Sequence, residues 1–180
     1  MINDDCLNEL LSYTERDDVG ITGARLLYED NTVQHAGVVI GYNGLAGHTF
    51  VGNEPDDVGY RAYVIQARDY SAVTAACLMV KASLYDEVGG FEEELEVAFN
   101  DVDFCLKVRE KGYLVVYNPY AVLHHYESKS RGYEDTPEKR NRFEKEAFFT
   151  YNKWEKILAD GDPCYNPNLT LSNSDFSLRE

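Results

Sequence analysis

Positive charge is scarce in this chain: 17 lysines and arginines stand against 32 aspartates and glutamates, a formal net charge of −15. Such a surface repels nucleic-acid phosphates and anionic lipid, so neither is a partner for the chain as a whole. A pocket that must receive a nucleotide diphosphate would need a cation to offset the same field. Long apolar runs are also missing, none reaching the roughly 18 residues that span a bilayer, and the N-terminus carries no basic-then-apolar signal pattern. The four cysteines, Cys6, Cys77, Cys105 and Cys164, form no C-x-x-C pair, which removes structural zinc and dithiol redox motifs. Cys77 and Cys105 lie in apolar runs and read as reduced core residues, in keeping with a reducing cytoplasm. No Walker loop, G-x-G-x-x-G, G-x-S-x-G or H-E-x-x-H occurs, and each absence removes an enzyme class.

What is present is ordinary globular material, 44% hydrophobic and 27% charged over 180 residues, enough for one domain. Residues 4–13 read as a helix, with Leu7, Leu10 and Leu11 at helical spacing. Val19–Leu27 and Val33–Ile40 read as strands around a turn at 28–31, and 41–57, rich in glycine, as a surface loop. Tyr60–Ala67 and Ser71–Val80 read as further strands, the second apolar enough to be central and buried on both faces. Ala82–Val88 is a short helix stopped by Gly89-Gly90. The stretch Asn100–Gly112 is a helix, with Asn100 as N-cap, Asp103 answering it and Gly112 as stop. Leu114–Tyr117 and Pro119–His125 read as two strands and 128–135 as a loop. Thr136-Pro137 opens a long helix whose stripe is Phe143, Ala147, Tyr151, Trp154 and Leu158. Residues 160–180, rich in Gly, Pro, Asn and Ser, read as an extended tail or linker. The class is α/β, a mixed sheet flanked by helices. Its order starts on a helix, with too few early βα units of about 30 residues to build a nucleotide-binding sheet.

Few residues carry chemistry. Asp101 at a helix start is either a general base oriented by backbone amides or an ordinary first-turn carboxylate, and Asp103 reads as the latter. His124 and His125 stand at a strand end, where alternation lets at most one enter a given site. A neutral imidazole there could ligate a divalent metal, or the pair could be an exposed polar strand end. Arg131, among Ser128, Lys129 and Ser130, makes a compact basic and hydroxyl-rich loop suited to phosphate, or a solvated turn. His35 and His48 read as structural or loop residues.

Six ordered blocks, Asp18–Tyr28, Val33–Val38, Val73–Val80, Val88–Glu92, Phe99–Leu106 and His124–Gly132, together resemble bacterial family 2 glycosyltransferases of the rhamnosyltransferase-like group. Asp162–Leu169 is similar to the stretch C-terminal to such domains. The resemblance implies a partial GT-A fold: residues 1–159 as the acceptor-side portion of a glycosyltransferase domain, without the N-terminal nucleotide-binding half and its D-x-D motif. It implies inverting transfer from a nucleotide-diphospho-sugar to a saccharide or lipid-linked acceptor in surface polysaccharide synthesis. Asp101 maps to the base of the family's E-D motif, with Asn100 in place of the first acidic residue. His125, with His124 as fallback, maps to the ligand of a divalent metal, Mg²⁺ or Mn²⁺. Thr74, Ala75 and Ala76 would lie near donor or acceptor, and Arg131 would face the diphosphate. The implied location is the cytoplasm, with membrane association only through parts of a longer parent. On its own the chain is expected to be inactive. The rival expectation is a non-catalytic carbohydrate-binding or interaction module on a transferase-derived scaffold.

Overall fold

The computed structural model describes residues 5–126 and 136–179, and Arg131 therefore lies outside the described residues. The order is α1 (Cys6–Thr14), β1 (Val19–Leu27), β2 (Val33–His35), β3 (Val38–Ile40), β4 (Ala46–His48), β5 (Arg68–Asp69), β6 (Leu78–Val80), α2 (Ala82–Glu87), α3 (Asn100–Glu110), β7 (Leu114–His124), α4 (Pro137–Lys153) and α5 (Glu155–Asp160). This is the mixed α/β class read from the sequence. Among the described residues, no helix is long and apolar enough to cross a membrane.

The sheet is organised around β1. It pairs parallel with β7 along one edge, and antiparallel with β2 and β6 on the other, while β5 extends the sheet beyond β7. Every residue of β1 is buried. One face carries Ala24 and Leu26 against Cys6 and Leu10 of α1. The other carries Ile21 into the main core with Phe104 and Val108 of α3. Burial on both faces fits a segment that is mostly apolar without alternation, Thr22 and Arg25 being its polar residues. Gly20 is dictated by that packing: a Cβ there would stand 2.4 Å from Val108 Cγ1, so α3 could not approach the strand.

Several expectations change. The predicted 33–40 strand breaks in two at Gly37, whose φ of 106° is left-handed, a conformation that favours glycine. Residues 60–67 form no strand. Arg61 and Ala62 have positive φ, and Tyr60 and Tyr63 turn inward onto Phe176 at 5.4 and 5.8 Å. Aromatic burial outweighs the local preference for an extended chain. In 71–80 only Leu78–Val80 is a strand, half-buried and paired with β1 alone. Ser71 to Thr74 are buried without regular structure, and Ala75 and Ala76 are exposed. The two strands expected at 114–125 are one, β7. Pro119 falls where the register to β1 slips, between the pairs Ala24 with Asn118 and Arg25 with Val122, so its missing N–H costs no ladder bond. The α3 helix is capped by Phe99 in a left-handed conformation, φ 61°, with Asn100 as the first helical residue rather than the cap.

The long helix breaks at Trp154, and its buried positions are Glu146, Thr150 and Trp154. Phe143 and Tyr151 of the expected stripe are exposed. A carboxylate can face inward because it is bonded there: Glu146 Oε2 accepts the Ala98 N–H at 2.7 Å. Residues 160–180, expected as a tail, hold no helix or strand beyond Asp160 among the described residues, but they fold onto the body. Tyr165, Leu169 and Phe176 are buried in the main core. The buried Asp162 accepts from Ser71 Oγ and from the N–H groups of Ile40 and Cys164. Composition marked the absence of regular structure and could not register these distant contacts. Phe176 stacks on Phe50 at 4.6 Å, so Phe176→Ala should cost about 3–5 kcal/mol in denaturant unfolding. A loss below about 0.5 kcal/mol, as for an ordinary surface position, would mark the segment as a detached linker.

Candidate functional site

The first turn of α3 brings Asp101 against the segment 74–76. Its Oδ2 accepts the Ala75 N–H at 3.1 Å, and its Oδ1 accepts the Val102 N–H at 2.9 Å. Each oxygen keeps a further lone pair, and the side chain is half-buried, so the carboxylate can still accept a proton from a hydroxyl at the surface. Thr74 is buried, and its Oγ1 accepts the Ala76 N–H at 3.3 Å, closing a tight turn. Asn100 adjoins on α3. Four of the site residues expected from sequence, Asp101, Thr74, Ala75 and Ala76, thus form one hydrogen-bonded group, with Asn100 beside it.

Asp103 is a structural residue. It is fully buried, and its Oδ1 accepts from Trp154 Nε1 at 2.9 Å and from Lys153 Nζ at 2.8 Å. Lys107 stands 3.5 Å from its other oxygen.

His124 closes β7 and His125 lies just beyond it, and the two meet different partners. His124 Nε2 meets Asn31 Oδ1 at 2.8 Å, on the turn after β1. His125 Nδ1 meets Gln34 Oε1 at 2.8 Å, while Gln34 Nε2 donates to the His125 carbonyl at 3.1 Å. The second bond fixes the amide's orientation, so Nδ1 donates, and in the neutral ring Nε2 carries the lone pair, the tautomer a metal ligand needs. One imidazole is not a metal centre, however. Among the described residues no three His, Cys, Asp or Glu side chains converge to hold an ion, and these residues alone do not fit one.

Two residues read as structural or overlooked in the sequence join these groups. Gln34 orients His125. Its neighbour His35 points the other way, and its Nε2 takes the Thr74 N–H at 3.4 Å. A chain of bonded residues therefore runs from Asp101 through Ala75, Thr74, His35 and Gln34 to His125. The available signal was the polar pair Gln34-His35 in an otherwise apolar strand.

Searches against family models match none to this chain. It is 49% identical over 179 residues, 99% of its length, to uncharacterized protein y4gI of Sinorhizobium fredii. It is 36% identical over 177 residues, 96% of its length, to the O-antigen biosynthesis protein RfbC of Myxococcus xanthus. Over 60 residues, a third of the chain, it is 35% identical to an N-acetylglucosaminyl-diphospho-decaprenol L-rhamnosyltransferase of Mycobacterium tuberculosis. It spans 20%, 13% and 20% of these relatives' own lengths.

His35 is fully buried, and its Nδ1 has no bonding partner among the described residues. Burial, and then His48 with its ring 4.7 Å away, hold its pKa well below the usual imidazole range. A depressed folded-state pKa means stability that is present above the unfolded value and lost as pH falls through it. The penalty of His35→Gln should therefore shrink on acidification, by up to about 2 kcal/mol between pH 7 and pH 5. Denaturant titrations of both proteins at the two pH values check this, and an equal penalty at both would show that His35 protonates within the fold.

Proposed function

We propose that this chain is the acceptor-side portion of a glycosyltransferase acting in surface polysaccharide synthesis, with Asp101 as its general base. The observation that carries the reading is the Asp101 carboxylate, fixed by two backbone amides beside the exposed Ala75 and Ala76. The similarity of nearly the whole chain to an O-antigen biosynthesis protein, and of a third of it to a rhamnosyltransferase, supports the same assignment. The mixed sheet flanked by helices is compatible with part of a GT-A fold.

The reaction is a single displacement. Asp101 takes the proton of an acceptor hydroxyl as its oxygen bonds to the anomeric carbon of a nucleotide-diphospho-sugar. The bond to the diphosphate breaks and the nucleotide diphosphate leaves with the electron pair, inverting the centre. Fixing the carboxylate in advance is what makes such a base effective. The acceptor is a saccharide or a lipid-linked sugar. The family resemblance would assign a divalent ion, Mg²⁺ or Mn²⁺, to His125, but among the described residues no other side chains join it to form a site, so no step is routed through the ion. The setting is the cytoplasmic side, where nucleotide sugars serve as donors.

A second reading is a saccharide-binding module that has lost transfer, favoured by Asn100 where an acidic residue would precede the base. The experiment is transfer from a panel of sugar nucleotides by the longer protein that contains this chain. Asp101→Asn should lower kcat by about 10²-fold or more and leave donor KM nearly unchanged. Near-normal turnover by that variant would return Asp101 to a helix-start carboxylate, and no turnover by the unaltered protein with any donor would favour the binding module.

A further inference from the structure

The helix α4 and the loop that precedes α3 enclose a cleft of about 1020 Å³, at the upper end of the range for small-molecule sites. Its lining is unlike the rest of the surface. Four carboxylates and four cations balance among its residues, in a chain whose net charge is −15. A near-neutral wall of that kind favours neither an anion nor a cation, and it offers many hydrogen-bond donors and acceptors.

Three features give it a direction. Phe148 lies on the cleft with 69% of its surface exposed, beside Phe149. An aromatic face open to water is a stacking platform for a ligand with one apolar side. Asn141 and Asn152 line the same wall, and each amide both donates and accepts. The third feature is Glu146, which lines the cleft yet is only 2% exposed. Its Oε2 is bonded to the Ala98 N–H, but its Oε1 has no hydrogen-bond donor among the described residues, the nearest cation being Arg142 Nε at 3.5 Å. At that distance the ion pair leaves the buried oxygen poorly bonded, and a ligand hydroxyl that displaced the Arg142 side chain would satisfy it.

Aromatic platform, paired amides and a donor-seeking carboxylate are together the complement of a pyranose, with its C–H face and its ring of hydroxyls. The placement fits transfer. Ala98, held by Glu146, is three residues before Asp101, at most about 11 Å of chain, and Phe99 between them packs on Phe143 of α4 at 5.5 Å. We propose that this cleft is a saccharide subsite, holding the sugar unit adjacent to the one whose hydroxyl faces Asp101. The position relative to Asp101 rests on the transferase reading; the saccharide chemistry of the cleft does not.

The test is amide-resolved NMR titration of the chain with methyl glycosides of N-acetylglucosamine and of L-rhamnose, the sugars in the name of one relative. Shifts are expected at Ala98, Asn141, Phe148 and Phe149. Phe148→Ala, at a position too exposed to unfold the protein, should weaken binding roughly 2- to 10-fold. Glu146→Gln, which keeps the shape and the Ala98 bond, should weaken it about 10-fold. Shifts confined to 74–76 and 100–102 would overturn the cleft while leaving the transferase reading intact. Unchanged affinity in Phe148→Ala, or no shifts at all at the highest soluble concentration, would also overturn it. Binding in the cleft together with no turnover of any sugar nucleotide by the longer protein would keep the saccharide site and sink the transferase assignment.

Discussion

Asp103 has no solvent exposure, and its carboxylate is the point to which the C-terminal helices are tied. The indole N–H of Trp154 and the ammonium of Lys153 reach one oxygen, with Lys107 near the other. Two residues earlier on the same helix stands Asp101. Seven and eight residues back from the two donors, along α4, stands Glu146, which clamps Ala98. The start of α3 is thus fastened from both sides, and the catalytic candidate sits between the fastenings. Burying an ion pair gains little over packing apolar groups, but removing one partner leaves a buried charge and costs about 3–5 kcal/mol. The value of Asp103 is therefore in specifying geometry: it sets where the helix pair rests on α3 and so how the cleft and Asp101 lie with respect to each other.

The legibility of the sequence followed the range of the forces involved. Val19–Leu27 was readable to the residue because the segment is mostly apolar, with only Thr22 and Arg25 polar, and the polar turns beside it mark both ends. The body of α3 and its stop at Gly112 were readable for similar local reasons. Its start was not, since Phe99 takes the left-handed conformation that the Asn100 cap would have avoided. Tyr60–Ala67 misled because an apolar and aromatic run is as good a layer around Phe176 as it is a strand, and Phe176 is more than a hundred residues away. The tail misled for the converse reason: Tyr165, Leu169 and Phe176 are thinly spread among turn-forming residues.

Within the site, the types of residue were visible but their grouping was only partly so. Asp101 and the small residues 74–76 were picked out separately, and a single backbone N–H joins them. The tautomer of His125 depends on Gln34, 91 residues distant, and the link to the other side of the sheet depends on His35. Neither could be singled out from spacing. Strand alternation, a rule for adjacent residues on a strand, reaches only to His124, where β7 ends.

The parallel pairing of β1 with β7 has a consequence for how the chain is made. Val19 lies opposite Leu114, so β1 leaves the ribosome roughly ninety-five residues before its principal neighbour. At ordinary elongation rates of about 5–20 residues per second the interval is on the order of 5–20 s. During it this fully buried strand has α1, then the short β2 and β6 for cover, while its longer edge stays open. A nine-residue, mostly apolar strand with a free edge is a template for association with other chains. The surplus of negative charge, unhelpful for holding a diphosphate, has a second use at this stage: nascent copies repel one another until β7 arrives.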